Sequence, residues 1–181
     1  MNFVDPITDS HMVQMIKNDL RARGEKYFIM FLVGISLGLR VNEILGLRVG
    51  DVKDKKETVF RQKKTGKEIA VAFNSELSRE LRHYCEYRDP HEALIPNRNN
   101  EYKPIGRIWA YKVLRSVCAE RGISQVGTHT MRKTCGYHFY KQTNDIGTLQ
   151  VWFNHSSERE TLRYIGVTRE SIKKAMINFK I

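Results

Sequence analysis

A chain of 181 residues that is 41% hydrophobic can bury one ordinary core and leaves little over for a second domain of any size, so one domain is expected. Its 31 lysines and arginines against 20 aspartates and glutamates leave a formal charge of +11, which points to nucleic acid as the partner, because each phosphate that a cation neutralises releases a condensed counterion; charge alone would equally describe a solvated basic surface. The three cysteines, Cys85, Cys118 and Cys135, are odd in number, far apart and without CxxC or Cys/His spacing, so a disulfide framework and a zinc site are both excluded.

Met12, Met15, Ile16 and Leu20 recur at helical spacing and predict a first helix. The apolar run Tyr27–Leu37 predicts a second that is buried on most sides; it is shorter than the roughly 20 residues that cross a bilayer, and the opening Met-Asn-Phe-Val-Asp-Pro is not a signal peptide, so a cytoplasmic location and no membrane association are expected. A third helix begins near Leu39, where Arg40, Glu43, Ile44 and Leu47 fall three and four apart, so that Arg40 and Glu43 touch.

Between Glu57 and Phe73 the period shortens. Thr58–Gln62, the turn Lys63-Lys-Thr-Gly66 and a segment in which Ile69, Val71 and Phe73 alternate with other residues predict a β-hairpin. Asp89–Gly106, with three prolines and several asparagines, reads as an irregular connection between helices near 75–88 and 105–121. Thr128 is placed to cap a helix starting at His129. Ser157 with Glu160 forms the S-x-x-E capping box of a short helix that carries Tyr164 and stops at Gly166. Ile172, Ala175, Met176 and Phe179 mark an amphipathic C-terminal helix whose stripe must bury against something.

Taken singly, Arg40, Lys64, His129, His155 and Tyr164 are each better explained as surface, turn, capping or core residues. Their order and context point elsewhere. Gly38-Leu-Arg40-Val-Asn-Glu43 resembles the first arginine box of the tyrosine recombinases of the phage integrase type, and Lys64-Thr-Gly-Lys-Glu resembles the lysine hairpin of that family. Thr128-His129-Thr-Met-Arg132 is similar to its His-x-x-Arg box, Asn154-His155-Ser-Ser157 to its Gly-His-Ser-Ser box, and Thr161-Leu-Arg-Tyr164 to its nucleophile segment. The resemblance runs from about Ile7 to the end of the chain and departs from the pattern at Asn154, where glycine is usual, and at Ile165-Gly166 after the tyrosine.

The resemblance implies a mainly α fold with a small antiparallel β-sheet, and site-specific cleavage and rejoining of double-stranded DNA through a 3′-phosphotyrosyl intermediate, as in integration, excision or inversion of a DNA element. The chemistry suits the residue types. A phenol linked to phosphate conserves the energy of the broken bond, which fits Tyr164 as nucleophile. Charge on the non-bridging oxygens calls for planar, permanently charged clamps, here Arg40 and Arg132. The family pattern gives the general-acid task to Lys64, with Lys63 as its rival, makes His129 an acid/base partner of the tyrosine, and lets His155 bind a non-bridging oxygen. Glu43 then supports Arg40, and Asp51 closes the following turn. No carboxylate cluster suggests a divalent metal, so metal-independent chemistry without a cofactor is expected.

Residues 1–181 are read as a single catalytic domain without the N-terminal core-binding domain usual in the family. A monomer in free solution and a tetrameric synaptic complex on DNA are the expected states, the latter through the C-terminal helix. Two other readings stay open: relaxation of DNA in the manner of a type IB topoisomerase, and a DNA-binding accessory protein that does not use its nucleophile.

Overall fold

Helix α2 (Glu25–Leu37) lies at the centre because its sequence is apolar on nearly every side, and Phe28 through Gly34 together with Leu37 are all buried. In the computed structural model, which describes residues 4–61, 66 and 68–178, this helix is covered by α1 (Ser10–Arg23), α4 (Ser75–Cys85) and α6 (Thr130–Thr143). Helix α1, capped by Asp9, turns Ile16 and Leu20 inward as expected, together with Val13, while Met12 and Met15 are only half-buried. A methyl group at Gly34 would lie 2.7 Å from Met131 Sδ, so the bare glycine is what lets α2 and α6 approach.

A short helix α3 (Val41–Gly46) and a 3-10 turn at Val49–Asp51 lead to strands β1 (Glu57–Arg61) and β2 (Glu68–Ala72). These pair antiparallel, Val59 opposite Ala70, and form a two-stranded sheet among the described residues. The irregular connection after α4 is tied down by bridges between Arg48 and Ala93 and between Pro96 and Pro104, and it enters α5 (Arg107–Glu120). The fold is thus mostly helical with one small sheet, as the resemblance implied.

Three short helices finish the chain: α7 (Ile146–Phe153), α8 (Glu158–Tyr164) and α9 (Val167–Asn178). Tyr137, Leu149, Phe153 and Ile165 form a second apolar cluster beneath them. Here too a glycine sets the spacing, since a methyl at Gly136 would stand 2.7 Å from both Ile165 and Phe153. The segment before α1 straps across α6: Ile7 N donates to Thr134 Oγ1 at 2.9 Å, Lys133 Nζ donates to the Val4 carbonyl at 2.8 Å, and His138 Nε2 lies 2.9 Å from the Ile7 carbonyl.

Two local expectations are corrected, and a third observation concerns the last helix. Helix α6 starts at Thr130 with His129 at the N-cap; Thr128 does not cap it, and the first-turn hydroxyl of Thr130 instead accepts from Gly127 N at 2.9 Å. The capping box of α8 is half formed, because Ser157 Oγ accepts from Glu160 N while the Glu160 carboxylate reaches one residue further back, to the backbone and hydroxyl of Ser156. The stripe of α9 is not buried at Met176, which is 63% exposed, as is its neighbour Ile177 at 72%; the side chains of Ile172 and Ala175, and Phe179, lie outside the described residues. A polar cluster anchors α9 instead: Glu170 takes the Tyr137 hydroxyl at 3.0 Å and ion pairs from Lys141 and Lys174. Among the described residues no helix is long and apolar enough to cross a membrane.

Candidate active site

The site is assembled from helix ends. Gly38 terminates α2 in the left-handed region (φ 61°, ψ 25°), and the reversal it allows sets Arg40 at the N-cap of α3. One turn later Glu43 holds Arg40 twice, accepting from its backbone N at 2.7 Å and pairing with Nη1 at 3.1 Å. The Arg40 side chain stays 45% exposed, so its charge is oriented yet open to a ligand. Asp51 does close the next turn, accepting from Arg48 N at 2.7 Å.

Arg132, on the first turn of α6, is only 4% exposed. Its Nη1 donates to the Gly38 carbonyl at 2.6 Å and its Nη2 to the Phe153 carbonyl at 3.0 Å, while the guanidinium lies 4.0 Å above the Phe153 ring. Two of the five N–H bonds of the guanidinium are thus taken by backbone carbonyls, and Nε is buried without a partner. Arg40, Glu43 and Arg132 line one cleft together with Ile69 and Val71 of β2 and Trp152. The hairpin therefore borders the two arginines, but Lys64 and its rival Lys63 lie outside the described residues.

His129 and Tyr164 meet across the gap between α6 and α8, with Nδ1 3.1 Å from the phenolic oxygen. Burial first, and then the charges of Arg40, Arg132 and Lys133, push His129 below the ordinary histidine range, so it is neutral near pH 7 and able to accept a proton. Burial raises Tyr164 above the ordinary phenol range, and the charges of Arg132 and Arg40 oppose that rise. Lys133 stands 5.0 Å over the Tyr164 ring.

His155 follows Asn154, which occupies the left-handed region (φ 50°, ψ 52°) that ends α7; this is the physical reason a glycine would suit that position. The His155 ring packs against Tyr164 at 4.9 Å between centroids, and its Nδ1 lies 3.0 Å from Thr161 Oγ1. Burial lowers its pKa as well.

Five of the six residues singled out in the sequence thus come together from four separate helix ends, and the sixth is not described. Sequence reasoning missed three contributors. The Gly38 carbonyl and Thr161 stand inside segments already recognised, without a role. Phe153 carried no signal, because a buried aromatic at helical spacing looks like any core residue.

Comparison with known proteins identifies the family and the fold. The family model described as the phage integrase family matches residues 7–171. A Bacillus subtilis protein named probable integrase/recombinase YoeC is 37% identical over 175 residues, covering 97% of this chain and 96% of that protein. A tyrosine recombinase XerD from Corynebacterium glutamicum is 27% identical over 178 residues and covers 94% of this chain, which spans 56% of the XerD length. Among solved structures, the XerA recombinase superposes with a TM-score of 0.73 at 17% identity, over 98% of this chain and 66% of that one. The catalytic domain of bacteriophage HP1 integrase superposes with a TM-score of 0.65 at 17% identity, over 94% of both chains. At these identities the structural likeness establishes the fold.

Proposed function

The chain belongs to the phage integrase family, and from that premise we propose that it is a site-specific tyrosine recombinase that cuts and rejoins double-stranded DNA through a 3′-phosphotyrosyl intermediate on Tyr164. The observation that carries this reading is the 3.1 Å approach of His129 Nδ1 to the Tyr164 hydroxyl beside a buried arginine. A neutral imidazole next to a phenol takes up its proton as the oxygen attacks phosphorus. The 5′-oxygen then leaves, and the energy of the broken bond stays in the phosphotyrosyl link until a second strand's hydroxyl reverses the step.

Charge accumulates on the two non-bridging oxygens during attack, and Arg40 and Arg132 meet it. Arg40 is oriented by Glu43 and exposed; Arg132 is fixed by two carbonyls, so little reorganisation accompanies the reaction. His155 supplies a further hydrogen bond to a non-bridging oxygen. Protonation of the leaving oxygen is assigned to Lys64. Because the arginines already provide the positive charge, cleavage is expected to persist in excess EDTA.

Binding is proposed to be to duplex DNA through the basic surface, with assembly into a tetrameric synaptic complex there and a monomer in free solution. Exposed Met176 and Ile177 near the end of α9 support an intersubunit contact, and a related structure is that of a lambda integrase dimer bound to a COC′ core site. Tyr164→Phe tests the nucleophile: it removes the attacking oxygen and keeps the ring contacts, so DNA binding should persist with no covalent adduct on a nicked suicide substrate. An undiminished adduct would exclude Tyr164.

A further inference from the structure

We infer that Phe153 is a positioning residue for the site, a seat whose ring face and backbone carbonyl together fix the plane of the Arg132 guanidinium. The inference rests on the reading of Arg132 as a phosphate clamp, and it begins from an imbalance. The guanidinium of a residue that is 4% exposed has to have its charge and its donors compensated, yet Nε is buried without a partner, and beyond two backbone carbonyls the group has the Tyr164 phenol beside it.

The aromatic face supplies what is missing. At 4.0 Å from the ring centroid the cation sits against the negative face of the ring quadrupole. A carbonyl or carboxylate in that place would consume N–H donors; the ring attracts the cation and consumes none. The same residue's carbonyl accepts from Nη2, which ties orientation within the plane to the seat that sets the plane itself.

Phe153 is itself held without play. It is fully buried, and the absent side chains of Gly38 and Gly136 leave the space its ring fills: a methyl at Gly38 would stand 2.9 Å from Cε1 and one at Gly136 2.7 Å from Cε2. Its edges then meet the other reacting groups, with ring centroids 5.9 Å from Tyr164 and 5.7 Å from His155, both near perpendicular. One side chain therefore touches the clamp, the proposed nucleophile and the second histidine, and spaces them.

The direct test needs no DNA. In the 15N-labelled protein, the Arg132 Nε–H should resonate upfield of the other arginines through the ring current and exchange slowly with solvent. A resonance in the envelope of exposed arginines overturns the proposal whether or not any variant folds. Phe153→Leu keeps an apolar filler and the carbonyl and removes the π face. Single-turnover cleavage at saturating protein should then fall by roughly tenfold, as a desolvated cation–π contact implies, with DNA affinity within about twofold, since that is set mainly by phosphate contacts. Leu149→Ala, a truncation in the same cluster, is the control for general loosening: it should lower the melting temperature and leave both the Arg132 resonance and cleavage per bound complex as they were. Unchanged cleavage in Phe153→Leu, or the same losses in Leu149→Ala, overturns the assignment. If the parent protein forms no adduct at all, the recombinase reading fails, and the resonance still decides whether the seat exists.

Discussion

Gly38→Ala concentrates the fold and the site in one atom. Two costs follow from the geometry. An alanine held at φ 61° carries the left-handed penalty, about 1 kcal/mol. Its methyl also stands 2.9 Å from Phe153 Cε1 and 3.3 Å from Cys135 Sγ and Trp152 Cζ2, in a region with no slack, and overpacking of this kind costs about 1–3 kcal/mol. Together they amount to about 2–4 kcal/mol, which for a domain of this size lowers Tm by roughly 5–15 °C. Gly122→Ala separates the terms: its φ is 74° and nothing lies within 4 Å of the added methyl, so it should show the backbone cost alone, about 1 kcal/mol. Thermal unfolding by circular dichroism reads both variants. Cleavage by the Gly38 variant should fall as well, because the displaced carbonyl is the partner of Arg132 Nη1. A Tm within about 2 °C of the parent's, or a loss no larger than that of Gly122→Ala, would refute the claim that Gly38 is closed in by the ring.

Arg40→Lys and Arg132→Lys keep charge and lose the fork, so single-turnover cleavage should drop at least about 100-fold with affinity little changed; lost binding with unchanged cleavage per complex would make them simple anchors. Since neutral His129 must accept the phenol proton and its pKa lies below 6.5, the cleavage rate should hold as pH falls past that value and decline only below it; an acid limb at or above 6.5 counts against that role. His129 and His155 both titrate lower in the fold than in the unfolded chain, so they contribute stability above pH 6.5 that is lost as pH falls below it, measurable as a falling urea midpoint. At Asn154, φ 50° makes Asn154→Gly neutral or stabilising and Asn154→Ala destabilising by about 1 kcal/mol in the same assay.

What the sequence disclosed followed from periodicity and local order. The run Tyr27–Leu37 was legible as a buried helix by its length, and the switch to alternation at Ile69 and Val71 as a strand by its period of two. The Arg40–Glu43 contact was legible for the same reason, being a matter of one helical turn. Arg132 was legible in identity and illegible in setting: its two carbonyl partners are 94 and 21 residues away, and only the tertiary fold brings them round a buried guanidinium. The start of α6 was misjudged because Thr128 and Thr130 both offer a hydroxyl and the local sequence does not say which one folds back on Gly127. What covers Met176 was not legible, because an apolar stripe states that a face is sticky and is silent about what meets it.

The strap ahead of α1 gives the protein a mechanical property. Val4 receives the Lys133 ammonium that stands over the Tyr164 ring, and the Pro6 ring is packed where a methyl on Gly166, just past that tyrosine, would touch it at 3.2 Å. Tension or bulk applied in front of Val4 is therefore delivered to both flanks of the phenol, over a lever arm only a few residues long. A fusion partner joined there acts as a handle on the proposed nucleophile, and one joined by a long slack tether does not.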